Sequence, residues 1–351
     1  MAKLKQVAER AGVSTATVSR VLSGAPGVTQ AYRDRVLRAA AELNYRPNRL
    51  ASNLRRQKTA TVGIVVSDIE NPHFTQMVRF VESAAYDRGY RVILCNTDET
   101  VDKQRAYLDV LAEERVAGVI LVPTNPATEE IGRLLDMGIP LVAFDRSVQD
   151  SRADAVLIDN VGGARRATEH LLDAGHERIG FVGGRADIQT GAERLRGYES
   201  GMAARELPPR SVVGAFRIDS SQAATEQLLE DDPSLTALVV ANNMMTIGAL
   251  RALRARGIRV PDDLSMVAID DPAWAELVAP PLTSLAQPIQ QMAEAAVDLL
   301  FERIAAGPAE RAQSRALVFA FELHRRGSCG TVSDFRSTAA RQSAASATGS
   351  G

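Results

Sequence analysis

From Thr61 onward the chain alternates short runs rich in Val and Ile with longer amphipathic segments, and no other feature restricts its fold so strongly. TVGIVVSD is followed by a helical pattern to Arg88, YRVILCN by one to Glu114, AGVILVPT by one to Met137, and IPLVAFD closes the set. After DAVLIDN the alternation resumes: a helix over about 162–174, RIGFVGG, a helix over about 192–205, SVVGAFRI, a further helix, TALVVAN, a helix over about 244–256, and LSMVAID. Apolar runs without polar alternation suit strands buried on both faces, which means parallel sheets covered by helices. Two such sets predict two α/β lobes. In open sheets of this kind ligands bind beyond the carboxyl ends of the strands.

Those strand ends are polar. They carry Asn71 to Phe74 after the first strand, Asn96 and Thr97 after the second, and Asp145 and Arg146 after the fourth. In the second set they carry Phe216, then Asn242 and Asn243, then Asp270 and Asp271; Arg194 lies early in a helix and Gln287 near a crossover. A lone polar residue after a strand is commonly a helix cap, and Asn243 and Asp271 read equally as caps. A whole ring of carboxylates, amides and arginines suits the hydroxyls of a sugar, each of which needs a mate when buried. Phe74 and Phe216 could cover the apolar faces of its ring. Two arginines also leave an acidic sugar open, through its carboxylate.

The net charge of −2 conceals a division. Residues 1–58 hold 12 Lys/Arg against Glu9, Asp34 and Glu42, a balance of +9, and the remaining 29 basic and 40 acidic residues give −11. Within the basic head, Leu4, Val7, Ala8 and Ala11 share one helical face. Gly12 can end that helix in the left-handed conformation, Val13 plugs the turn, and Ser14 can cap a second helix from Thr15 to Leu22. A third, over about 29–44, offers Val36, Leu37, Ala40 and Leu43 to a common core. The pattern is a helix-turn-helix. Val18, Val21 and Leu22 face inward and leave Thr15, Ala16, Thr17, Ser19 and Arg20 outward, a surface that fits a DNA major groove. Lys3, Lys5, Arg33, Arg35 and the basic cluster at 55–58 are expected to hold phosphates.

VAERAGVSTATVSRVLSG, LNYRPNRLASNL and TVGIVVSD resemble the lactose-repressor/galactose-repressor family of bacterial transcription regulators, and the resemblance runs to about Arg326. It implies a helix-turn-helix head over residues 1–46, a hinge helix over 47–58, and a body over 59–326 similar to periplasmic sugar-binding proteins. Lobe 1 is expected at about 59–159 and 288–316, lobe 2 at about 160–287 and 317–326. It implies that Ser14, Thr15, Ala16, Thr17, Ser19 and Arg20 meet DNA, with Lys3, Lys5 and the hinge residues Asn48, Leu54 and Arg55. Leu50 would face a second copy and Leu54 wedge into a minor-groove step. Phe74, Asp145, Arg146, Arg194, Phe216, Asn242, Asp270 and Gln287 match effector-contacting positions, and His73 stands where relatives often have another aromatic. Arg146, where the purine-binding branch commonly has tryptophan, favours a sugar or polyol. The implied protein is a homodimeric repressor on pseudo-palindromic DNA, found in the cytoplasm at the nucleoid, whose operator affinity a sugar or sugar-acid effector controls; family ligands include both ones that release DNA and ones that promote binding, and sugar catabolism favours release.

Four histidines, none in HExxH or a His/Cys cluster, point away from catalysis, and no metal or cofactor is expected. Asp145 with Asp270 as paired catalytic acids needs assumptions that ligand binding does not. Cys95 and Cys329 read as free thiols. DNVGGARRA lacks the phosphate-loop spacings and reads as a tight turn before a helix. No apolar run has the length of a membrane span, and MAKLKQVAER lacks a signal-peptide core. The competing class, a transport-type sugar-binding protein, would share the body but would need a signal peptide and no basic head. The segment from Gly327, rich in Ser, Ala, Thr and Gly, is expected to be disordered.

Overall fold

The structure, a computed structural model, describes residues 4–22, 27–43, 45, 59–307 and 313–332. The chain separates into an N-terminal unit ending at Thr59 and a body beginning at Ala60.

The N-terminal unit holds α1 (Leu4–Ala11), α2 (Thr15–Leu22) and α3 (Gln30–Glu42) around Val7, Val18, Val36 and their alanine neighbours. Gly12 ends α1 at φ 63°, and Ser14 Oγ accepts from the Thr17 amide at 3.1 Å to cap α2. Two expectations need correction. Leu37 is 49% exposed and Ala39 takes the inner position, because residue 37 sits about 100° round the helix from Val36 while 39 and 40 flank it. Arg35 caps α1, donating to the carbonyls of Ala11 at 2.6 Å and Gly12 at 3.3 Å. Helix-end carbonyls lack intrahelical donors, so one nitrogen of this exposed arginine has a structural role that its expected phosphate contact did not include. The hinge over 47–58, with Asn48, Leu50, Leu54 and Arg55, lies outside the described residues, as does Lys3.

Lobe 1 of the body is built from β1 (Thr61–Val66), α4 (Pro72–Asp87), β2 (Arg91–Asn96), α5 (Val101–Glu113), β3 (Val119–Leu121), α6 (Glu129–Asp136), β4 (Leu141–Phe144) and β5 (Asp154–Ile158). Lobe 2 follows with α7 (Asn160–Asp173), β6 (Ile179–Gly183), α8 (Gln189–Ala203), β7 (Arg210–Val213), α9 (Ile218–Asp231), β8 (Ala237–Val240), α10 (Asn243–Ala255), β9 (Ser265–Ile269) and β10 (Thr283–Ala286). The chain returns through α11 (Ile289–Ala306) and ends in β11 (Ala316–Phe319) and β12 (Glu322–His324). The sheet orders are β11-β5-β4-β3-β1-β2 and β12-β10-β9-β8-β6-β7, and every pairing is parallel except β10 with β12. Strands β3, β4, β6, β8 and β9 are buried at every position, as their unalternated apolar runs require. The glycine-rich stretch after β5 is the predicted turn into a helix: Asp159 caps α7 by accepting from the Gly162 amide at 2.8 Å.

The lobe boundary near the C-terminus also differs from expectation. β11 pairs with β5, so residues 317–319 belong to lobe 1 and the chain crosses to lobe 2 only for β12. ALVFAFELH is one apolar run, and nothing in its pattern marks where it changes sheet. The start of the expected disordered tail is ordered as well. Ser328 is fully buried, its Oγ donating to the Met266 carbonyl at 2.6 Å and accepting from the Thr283 amide at 2.8 Å. A serine pairing with main-chain groups holds an extended segment without any apolar signal. Residues from 333 onward lie outside the described set.

The same corner holds Asp271, which the sequence leaves evenly between a helix cap and a site residue; it accepts from Arg326 at 2.7 and 2.8 Å, from Ser284 at 2.7 Å, and pairs with His324 at 2.7 Å. Burial alone would raise its pKa, but the hydrogen bonds from Arg326, Ser284 and His324 outweigh it and hold the carboxyl at about 2, below its ordinary 3.8. A depressed folded-state pKa means that this network contributes fully above the unfolded value and is lost as the pH falls through about 2. Denaturation midpoints should therefore drop between pH 4 and 2, about the interval separating the two pKa values, and Asp271→Asn should flatten that slope. An unchanged slope in the variant would show that other carboxylates carry the acid sensitivity.

Candidate functional site

All nine residues singled out for an effector meet around one cavity between the two lobes: His73, Phe74, Asp145 and Arg146 from lobe 1, and Arg194, Phe216, Asn242, Asp270 and Gln287 from lobe 2 and its crossover. Each element delivers its residue for a local reason. Asn71 caps α4 and Pro72 opens it, which carries His73 and Phe74 inward on the first turn. Asn242 caps α10 by accepting from the Met245 amide at 2.7 Å, so the cap is Asn242 and not Asn243. Phe216 packs on Gly184, where an added Cβ would lie 1.9 Å from its Cζ. Any larger residue at 184 would push that ring aside.

The backbone is strained here. Glu99, Asp145, Ala215, Phe216 and Asp270 all have positive φ, between 51° and 73°, and all line the cavity. Left-handed conformations in non-glycine residues each cost on the order of 1–3 kcal/mol, and they persist where the surroundings over-determine them. Their concentration at one set of strand ends marks a functional position.

The electrostatics differ from the sequence expectation in one respect. Glu99 binds Arg146 through both terminal nitrogens, at 2.6 and 2.8 Å, and Asp145 lies 3.5 Å from its Nε. Burial alone would lower the Arg146 pKa, yet Glu99 and Asp145 more than offset it and raise it. Arg217, one residue beyond Phe216, reaches across the cleft to Asp98 and lies 3.8 Å from Asp68. Burial is the main cause raising the Asp68 pKa, against a hydrogen bond from the Glu70 amide and the attraction of Arg217. Arg194 donates to Asn160 Oδ1 at 2.8 Å and to the Ala241 carbonyl, over the Phe321 ring. A two-arginine clamp for a carboxylate is therefore not what the cavity offers. The lining holds four carboxylates, Asp68, Glu99, Asp145 and Asp270, against three guanidiniums.

Sequence reasoning missed Glu99, Arg217 and Asp68. Asp68 lies two residues beyond β1 in VVSD and Glu99 three residues beyond β2, so a rule that inspects two or three residues beyond every strand would have found both. Asn96 and Thr97 themselves have local roles: Asn96 accepts from the Ile69 amide at 3.0 Å and Thr97 pairs with Thr124 at 2.9 Å. Polar contacts bridge the lobes around the cavity: Arg217 with Asp98 and Asp68, Ser147 with Gln189 at 2.8 and 2.9 Å, and Asn71 with Asn243 at 2.9 Å. The cavity is about 40 Å³, room for about one water. Several of its buried polar atoms, both ring nitrogens of His73, Arg146 Nε and Gln287 Oε1, have no hydrogen-bond partner. Buried groups of this kind are normally satisfied.

In the N-terminal unit the expected DNA-facing residues Lys5, Ser14, Thr15, Ala16 and Arg20 are exposed, and Thr17 and Ser19 half-buried. Lys5 lies 3.9 Å from Glu9, with both side chains mostly in solvent. Among the described residues no group of three or more His, Cys, Asp or Glu is arranged to hold a metal ion, and no helix is long and apolar enough to cross a membrane.

Residues 3–48 match the family described as bacterial regulatory proteins, lacI family, and residues 168–329 match a periplasmic binding protein-like domain. The chain is 36% identical over 309 residues to the HTH-type transcriptional repressor PurR of Vibrio atlanticus, covering 87% of this chain and 92% of that protein. It is 36% identical over 308 residues to the ribose operon repressor of Halalkalibacterium halodurans, covering 88% and 92%. A solved structure of the lac repressor dimer bound to operator and the anti-inducer ONPF is similar with a TM-score of 0.82 at 28% identity, over 94% of this chain and 99% of that one. Identity at this level across head and body together, with the helix-turn-helix and the two parallel-sheet lobes observed, makes the chain a member of the lacI family of bacterial regulatory proteins, a DNA-binding transcriptional repressor and not an enzyme.

Proposed function

We propose that this repressor controls genes of sugar catabolism and that a neutral sugar, bound between the lobes by His73, Phe74, Asp145, Arg146, Arg194, Phe216, Asn242, Asp270 and Gln287, releases it from its operator. The observation that carries this reading is the pairing of Arg146 with Glu99 inside a cavity of unpartnered donors and acceptors. With that guanidinium already neutralised, the wall offers hydrogen bonds and an aromatic face but little net attraction for an anion, which disfavours the sugar acid. A ribose operon repressor among the relatives agrees with a sugar ligand.

The cavity is too small for a sugar ring unless the lobes part, so binding must draw on the lobe-bridging contacts of Arg217, Gln189 and Asn243. A ligand shifts DNA affinity only through different affinities for the two states, and complete switching requires about a 10⁴-fold differential. A thermal-shift screen of pentoses, hexoses, their acids and purine bases tests the assignment. A neutral sugar at about 100 times its dissociation constant should add about 2.7 kcal/mol of stability. A response confined to purine bases or to sugar acids would overturn it.

On DNA, a homodimer reading two half-sites of a pseudo-palindrome supplies the base contacts that a single small head lacks. It would act at the nucleoid. Thr15, Ala16 and Arg20 would read bases; Lys3, Lys5, Arg33 and Arg55 would hold phosphates, and Asn48 and Leu54 of the hinge would enter the minor groove. Fluorescence anisotropy with labelled pseudo-palindromic DNA should show affinity falling about 10³-fold or more between 50 and 200 mM salt. Arg20→Ala should cost about 1–3 kcal/mol and relax preference at one base pair. A loss uniform over all sequences would instead assign Arg20 to a phosphate.

A further inference from the structure

A cavity of about 350 Å³ on lobe 2 shares no lining residue with the one between the lobes, and its volume falls in the range of about 300–1,000 Å³ usual for small-molecule sites. One wall is α7, where Arg166, Glu169, His170 and Asp173 recur at helical spacing and share a face. The other is the end of β12 and the residue after it. Side chains alternate along an extended chain, so His324 and Arg326 turn to Asp271 while Leu323 and Arg325 turn to α7. The two carboxylates are already held from outside the cavity: Glu169 accepts from Arg165 at 2.7 Å and Asp173 from Arg205 at 2.8 Å. The cations are not matched in this way. Among the described residues neither Arg166 nor Arg325 has a carboxylate partner, and neither the Arg325 guanidinium nor the His170 ring has a hydrogen-bond partner. Burial and the charge of Arg325 push the His170 pKa below its ordinary 6.5, against the attraction of Asp173. Arg325 and His170 therefore face one space closely enough for the first charge to disfavour the second.

We infer that this cavity binds a small organic phosphate, its phosphate group held by Arg166, His170 and Arg325 and its apolar part laid on Leu323 and Ala174. The inference is independent of which effector the cleft takes. Donors converging from two walls suit a tetrahedral group with three outer oxygens, whereas a carboxylate has two oxygens in one plane, enough for one guanidinium fork. An anion between Arg325 and His170 also relieves the repulsion of the two cations and favours the protonated ring, which then donates from both nitrogens. Leu323 and Ala174, both half-buried, give the rest of the molecule an apolar floor. The site touches the hinge of the body. Arg166 Nη1 donates to the Phe321 carbonyl at 3.3 Å, and at Phe321 the chain passes from β11 in lobe 1 to β12 in lobe 2. The Phe321 ring packs on Gly163, where an added Cβ would lie 2.3 Å from its Cδ2, and beneath the Arg194 guanidinium, 5.9 Å from the ring centroid. Arg194 lines the cavity between the lobes, so a phosphate that holds Arg166 acts on the crossing residue beneath it.

The test is isothermal titration of the full-length protein, at constant ionic strength, with phenyl phosphate, inorganic phosphate and benzoate. Phenyl phosphate should bind saturably and about tenfold more tightly than either of the others. Arg325→Ala and His170→Ala should each weaken it by about 10- to 150-fold, the loss of one hydrogen bond to a charged group. Two variants on different walls keep the result from hanging on the folding of one. Hydrogen exchange with phenyl phosphate present should slow in α7 and in the segment from β11 through β12. An isotherm unchanged in both variants, or protection confined to the basic head or the cleft, overturns the site by placing the phosphate elsewhere. No saturable binding of phenyl phosphate also overturns it. Inorganic phosphate bound as tightly as phenyl phosphate overturns the organic ligand in favour of the free ion, and benzoate bound as tightly overturns the phosphate in favour of a carboxylate.

Discussion

Asp270→Asn is expected to weaken effector binding by about 10- to 150-fold, the equivalent of about 1.5–3 kcal/mol for a hydrogen bond to a charged group. Operator affinity without ligand should stay the same, so the variant should act as a repressor that its effector no longer releases. Asp270 is the carboxylate most fully committed to the site. It lines the cavity between the lobes, its Oδ1 accepts from Gln287 and its Oδ2 from the Asn243 amide at 3.3 Å. Asparagine is the informative replacement. Its shape is nearly that of aspartate, and it tolerates the left-handed backbone that this position holds at φ 73°. Alanine would mix loss of the ligand contact with backbone strain. Titration calorimetry with the best sugar from the screen, beside anisotropy with operator DNA, separates the two functions. Undiminished sugar affinity in Asp270→Asn would remove this carboxylate from the ligand's partners.

Asp154→Ala should destabilise the body by about 3–5 kcal/mol, because it strands a cationic partner in a largely desolvated place. Asp154 is 1% exposed at the start of β5 and receives Arg303 of α11 through two nitrogens, at 2.8 and 2.7 Å, and the Arg315 amide ahead of β11 at 2.8 Å. One carboxylate thus ties together the three segments by which the chain enters and re-enters lobe 1. Urea denaturation followed by circular dichroism measures the loss. Asp154→Leu with Arg303→Leu should lose less than the sum of the single changes, since removing both charges removes the stranded one. A single-variant loss below about 1 kcal/mol would mean that Arg303 finds water once its partner is gone.

These two carboxylates illustrate where sequence reasoning reaches and where it stops. Asp270 was legible because it follows VAI at a strand end, a position defined by local pattern alone. Asp154 also sits at a strand boundary, and nothing near it announces Arg303, 149 residues away. The helix-turn-helix was legible for the same reason as Asp270: Gly12, Val13 and Ser14 act on neighbours within five residues, and the Ser14 to Thr17 bond follows from that spacing. Leu37 was misplaced because the adjacent apolar residues Val36 and Leu37 leave two candidates for one helical stripe. The switch of sheet between β11 and β12 was invisible because both strands share one apolar run.

By itself the sequence determined every element whose cause is local: the capped turn of the head, the buried parallel strands, and the ring of polar residues at their carboxyl ends. Periodicity reports which face of a segment is apolar, and strand ends report where a cleft can open. The tertiary structure alone decided which of those polar residues neutralise one another. Glu99 reaches Arg146 across 47 residues, Arg217 reaches Asp98 across 119, and Asn71 reaches Asn243 across 172. Charge and hydrogen-bond pairing depend on distance in space, which no local pattern encodes, and it is that pairing which neutralises Arg146 with Glu99 inside the cleft.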